Sequence, residues 1–132
     1  MRTLPRLVLL GGLVAVSGCS LFGEDGVDRP TDLPVAALSA PDRAAVGEPF
    51  TVDLVVQTPS GCHSFERVEA NEDAGRLALR AVGRYRGGAD VQCGSAIGEV
   101  EATYEHVPTT PGALIITAEG YDGTVEERVS VE

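Results

Sequence analysis

The chain has 132 residues, with ten arginines, no lysine and twenty acidic side chains, giving a formal net charge of −10. That length allows one domain with a core of its own and not two. The acidity argues against nucleic acid as a partner, and against a domain lying flat on anionic lipid.

The N-terminal segment has three parts: Arg2 and Arg6, an apolar run from Leu7 to Val16, and the small residues Ser17-Gly18 before Cys19. The run is about ten residues long, roughly half of what a helix needs to cross a bilayer, so it does not predict a permanent span. Val16-Ser17-Gly18-Cys19 resembles the lipobox of bacterial lipoproteins. The resemblance implies a signal peptide over 1–18, cleavage before Cys19 and acylation of its thiol. It implies a membrane partner reached through that lipid, in the cell envelope. With Ser20 rather than aspartate next, it implies the outer membrane facing the periplasm in a Gram-negative host. Cleavage there removes two arginines and no acid, leaving eight arginines against twenty acids, a charge of −12.

Residues 19–33 combine Glu24, Asp25, Asp28 and Asp32 with Gly23, Gly26 and Pro30 and show no periodicity. They predict an acidic, flexible tether. From Pro34 onward, short alternating stretches are punctuated by turn residues, which predicts an all-β sandwich over 34–132. Val35–Ser39 is a first short strand. In Phe50–Val56, Phe50, Val52, Leu54 and Val56 share one face at period two. His63–Ala70 predicts a strand in which Phe65 and Val68 cannot both face inward without a bulge. Asn71 to Gly75 predicts a turn.

In 76–85, Leu77, Leu79, Ala81 and Tyr85 fall on one face and Arg76, Arg80 and Arg84 on the other. The glycine-rich stretch 86–98 predicts the least order. Val100, Ala102 and Tyr104 alternate with Glu99, Glu101 and Glu105. The arginine row and this glutamate row predict cross-strand charge pairing on a solvated face. Ala113–Glu119 and Thr124–Val131 predict a hairpin turning at Asp122-Gly123, with Val125, Val129 and Val131 inward.

The segments "PDRAAVGEPFTVDLVV" (41–56) and "PGALIITAEG" (111–120) resemble strands of immunoglobulin-like domains. The resemblance implies a single Greek-key sandwich of about seven strands. The chain departs from the antibody-type pattern in having no tryptophan and no corner tyrosine.

With Cys19 acylated, Cys62 and Cys93 remain, and an oxidising compartment predicts a disulfide between them. It would join the loops 58–64 and 86–98, the first places to look for a binding surface. Zinc or copper would draw on Cys62, His63, Cys93 and His106. Cys62 and His63, adjacent on a strand, would point to opposite faces, and no CxxC or HxxxH spacing is present, so no metal site or cofactor is predicted. Calcium at Asn71-Glu72-Asp73 competes with the ordinary reading of solvated turn carboxylates. Ser60, Ser64 and Ser95 lie in no nucleophile elbow, and Gly87-Gly88 leads to no phosphate-binding lysine.

The sequence therefore predicts a non-catalytic binding or structural module, with an envelope protein or glycan as partner. The alternatives are a metal-binding or hydrolytic protein using His63 and His106, and an inhibitor acting through one loop.

Overall fold

The computed structural model describes residues 26–88 and 90–132. The signal segment, Cys19 and the first part of the expected tether lie outside the described residues. Among the described residues there is no helix, and the chain forms nine strands in two sheets.

The strands are β1 (Gly26–Leu33), β2 (Val35–Ser39), β3 (Arg43–Ala44), β4 (Phe50–Thr58), β5 (His63–Asp73), β6 (Arg76–Gly88), β7 (Gly98–His106), β8 (Gly112–Gly120) and β9 (Gly123–Val131). The smaller sheet has the order β2-β4-β7. In the larger sheet β6 is central: β5 runs antiparallel along one edge, while β8 and β1 share the other. β8 pairs with Arg76–Leu79 in parallel, and β1 pairs with Ala81–Gly88 antiparallel. β9 and β3 complete this sheet beyond β8.

Alternation builds the core. Val52, Leu54 and Val56 of β4 face Leu77 and Leu79 of β6, Ile116 of β8 and Val129 of β9, all of them buried. Each large aliphatic side chain removed from water here contributes about 1.5–3 kcal/mol. The bulge required between Phe65 and Val68 falls between Phe65 and Arg67.

The expected turn at 71–75 is shorter than its composition suggests. β5 continues to Asp73, and Ala74 (φ 49°) and Gly75 (φ 77°) make the reversal. Positive φ at both central residues is the tight-hairpin geometry that matches strand twist.

The expected tether is corrected over 26–33, which is strand β1. Its residues are mostly exposed, so no apolar burial announces it. Its backbone pairs with β6 over eight positions, and Pro30 is tolerated because β1 lies at an edge. Pro34 then carries the chain from one sheet to the other, where Gln57 N–H donates to its carbonyl.

The all-β sandwich is present, with nine strands rather than seven. Against the immunoglobulin-like plan that the sequence implies, the strand beside β8 is β6 and runs parallel to it. The sheets of that plan are antiparallel. The arrangement differs because β5 and β6 form a long hairpin whose second strand, not its first, lies against β8.

Candidate functional site

β6 is 13 residues long and outruns the strands that cover it. Beyond Val82, β1 accompanies it to Gly88 and β5 to Tyr85, so residues 83–85 form the middle of a three-stranded ribbon at one end of the sandwich. On the inner face of this ribbon Gly83, Tyr85 and Gly87 alternate. A β-carbon on Gly83 would collide with the Ser64 carbonyl and the Leu33 side chain. One on Gly87 would strike the Tyr85 hydroxyl, so the tyrosine ring lies along the strand over that glycine.

Tyr85 is the register partner of Arg29 on β1 and of His63 on β5. The Arg29 guanidinium stands 5.2 Å from the tyrosine ring centroid, and the His63 ring is 4.9 Å away, tilted by 55°. Three strands thus place a cation, an aromatic ring and an imidazole in one row, a grouping suited to π-face contacts.

Two loops close over this row. Cys62 and Cys93 lie at disulfide distance, with a Cα–Cα separation of 5.1 Å. The Gly61 N–H donates to the Gly94 carbonyl, and the Arg86 N–H donates to the Cys62 carbonyl. The loop residues 58–64 and 90–97 therefore form one surface. The Tyr85 hydroxyl is 4.0 Å from the Cys93 sulfur.

Ser60 Oγ accepts from the Cys62 N–H at 3.2 Å and stands 2.7 Å from His63 Nδ1. The bond joins the hydroxyl to the imidazole, and its direction follows the tautomer of the ring. This pair was not anticipated as a unit. Its geometry is that of a serine-stabilised turn entering β5.

His63 and His106 are not brought together. His106 ends β7 and its Nε2 lies 3.2 Å from Glu72 Oε2, at the far end of the strand that His63 begins. Nine residue steps of strand separate His63 from Glu72, about 30 Å. The two histidines therefore do not share one site. His106 is buried among Phe50 and Tyr104, with ring centroids 5.7 and 6.3 Å away, and its Nε2 makes no aligned hydrogen bond. Cys62, placed against Cys93, is no free ligand either. Among the described residues no group of three or more metal-binding side chains converges. Asn71, Glu72 and Asp73 lie within β5 rather than in an open loop.

The charged rows also pair differently from the expectation. β6 has no contact in register with β7, which belongs to the other sheet. Arg84 donates to Asp28 at 2.7 Å, Arg86 lies 3.5 Å from Asp28, and Arg80 is held by Glu69 and, at 3.6 Å, Asp32. The arginine row thus clasps β1 and β5 on either side. The hydrogen bond from Arg84 holds the Asp28 carboxyl below its ordinary range, aided by the charges of Arg84 and Arg86. Glu69 is lowered in the same way by hydrogen bonds from Arg80 and then Arg67.

An apolar cleft of about 450 Å³ lies near the β1–β2 junction, lined by Leu33, Val35, Ala70, Ala78 and Leu79. Its polar rim of Asp32, Glu69 and Arg80 is satisfied within itself. The ribbon tip is the better candidate, because its side chains converge across strands. Sequence reasoning placed Tyr85 on the apolar face but missed Arg29, which it assigned to the tether. The readable signal was Gly83-x-Tyr85-x-Gly87, a tyrosine flanked at period two by residues with no side chain.

Comparison with protein families, curated proteins and solved structures found no match.

Proposed function

We propose that the chain is a lipid-anchored protein of the cell envelope whose sandwich is a non-catalytic binding or structural module. One observation carries this reading. Of the three cysteines, Cys62 and Cys93 stand at disulfide distance, which leaves Cys19 as the odd thiol, at the end of an apolar run and after two small residues. A structural disulfide fits an oxidising compartment, and a lone cysteine after a short apolar segment fits acylation.

The test is expression of the full chain in a bacterial host with labelled palmitate, followed by mass analysis of the membrane fraction. Wild type is expected to begin at Cys19 and to carry diacylglyceryl and acyl mass. Cys19→Ser is expected to lose the label and to keep its leader. An unmodified Cys19 in mature protein overturns the reading.

A further inference from the structure

We infer that the ribbon tip is a membrane-contacting surface, seated in the interface of an anionic bilayer while the rest of the domain stands away from it. The inference rests on the lipid-anchor reading above and adds which face of the domain meets the bilayer.

The first support is where the chain enters the fold. β1 begins at Gly26, paired with Gly88 at the end of β6, so the N-terminal segment joins the domain at the ribbon tip. Seven residue steps separate Cys19 from Gly26, a reach of at most about 25 Å in any conformation. The far end of the sandwich, marked by Phe50 and His106, lies a further length of β4 away, roughly 30 Å. An anchor at Cys19 therefore turns the tip toward the bilayer and the far end away.

The second support is apolar exposure. Val27 is 45% exposed, Val91 47% and Ile97 59%. Val27 pairs with Gly87, Val91 donates its N–H to the Gly88 carbonyl, and Ile97 precedes Gly98, which pairs with Thr58. All three belong to the same end of the molecule. Half-buried Tyr85, with one apolar face and one hydroxyl, is a side chain suited to the headgroup level.

The third support is charge. Residues 26–30, 58–64, 84–88 and 90–97 carry three arginines (Arg29, Arg84, Arg86) against two aspartates (Asp28, Asp90). The remaining described residues carry five arginines against sixteen acids. Among the described residues the charge is thus polarised, with a small positive excess at the tip and a strongly acidic body. Anionic lipid attracts Arg29 and Arg86 and repels the body, which orients the domain end-on rather than flat.

The chain has no tryptophan, so a single introduced indole reports its own surroundings. Full-length protein carrying Ile97→Trp, Val91→Trp or, at the far end, Val107→Trp is purified from membranes. Each is reconstituted into vesicles of phosphatidylethanolamine and phosphatidylglycerol with and without brominated acyl chains. Acylation of Cys19 is read by mass on the same samples. The expected result is bromine quenching at positions 97 and 91 and none at 107. Arg29→Gln with Arg86→Gln should lower the tip-bound population at low salt by about fivefold for each arginine removed. Acylated protein without quenching at 97 and 91, or with equal quenching at 107, overturns the inference and leaves the anchor reading standing. Blue-shifted emission at 97 that depends on protein concentration without lipid makes a second copy the occupant and overturns it too. An unmodified Cys19 removes the anchor reading and the inference together.

Discussion

Asp28 and Arg84 are joined by a 2.7 Å hydrogen bond across strands whose residues lie 56 positions apart in the chain. The bond fastens an edge strand that has almost no buried surface of its own. With Arg86 beside the same carboxylate and Arg80 beside Asp32, one row of arginines replaces the apolar contacts that usually hold a strand in a sheet.

Attachment of β1 should therefore depend on pH. The Arg84 hydrogen bond sets the pKa of Asp28 below its ordinary value of 3.8, and Arg80 does the same to Glu69 from 4.5. A depressed carboxylate contributes stability that is complete above the ordinary value and lost as pH falls through the lowered one. Hydrogen exchange over 26–32 is expected to quicken as pH falls below about 4, after correction for intrinsic rates. In Asp28→Asn that exchange should already be fast near neutrality and lose much of its pH dependence. Equal protection of β1 in both proteins would refute the clasp.

How much of this was legible in the sequence follows from what each strand uses for stability. β4 could be read directly, because Phe50, Val52, Leu54 and Val56 are buried at period two. β1 could not, because its partners are Asp28 and Asp32 with arginines some fifty positions later, and its composition is that of a solvated coil. The lengthening of β6 was hidden for a related reason: Gly83, Gly87 and Gly88 weaken any strand pattern, although two of them make room for packing. The candidate site shared this fate. Tyr85 has a legible face, but its row with Arg29 and His63 exists only through register.

The pair Cys62 and Cys93 gives the second prediction. The two are 31 positions apart. On chain-entropy grounds, a crosslink closing such a loop stabilises the fold by about 3.5–4 kcal/mol. Intact mass before and after reduction should differ by two hydrogens. The double variant Cys62→Ser, Cys93→Ser should lower the urea midpoint by a matching amount. Loss is expected first at the tip, where Gly61 and Gly94 meet, rather than in the core around Ile116. Thiol labelling of native, unreduced protein at both positions would contradict this.

The histidines give the third. His63 and His106 stand at opposite ends of β5, and Cys62 is placed against Cys93, so zinc has no converging donor set among the described residues. Added zinc or chelator should leave the thermal midpoint of the soluble domain unchanged. His106→Leu removes a buried Nε2 that lacks an aligned partner and is expected to change stability by less than about 1.5 kcal/mol. A zinc-dependent rise in midpoint that disappears in His63→Ala or His106→Ala would restore the metal reading.

The glycines of β6 give the fourth, because two look alike in sequence and differ in what lies above them. A methyl at Gly83 meets the backbone carbonyl of Ser64, which cannot swing aside, and the packed side chain of Leu33. The β5–β6 pairing must open there, so Gly83→Ala should cost about 1–3 kcal/mol or somewhat more in urea unfolding. A methyl at Gly87 meets the Tyr85 hydroxyl and the ring carbons beside it, a side chain that can rotate where a backbone carbonyl cannot. Gly87→Ala should therefore cost little stability but displace the tyrosine, moving its ring resonances and those of His63. Gly26→Ala, where nothing lies within 4 Å, is the neutral control. Equal losses at 83 and 87 would mean that Tyr85 is fixed over Gly87 as firmly as the backbone over Gly83, and the row of Arg29, Tyr85 and His63 would then be part of the fold's rigid framework rather than an adaptable surface.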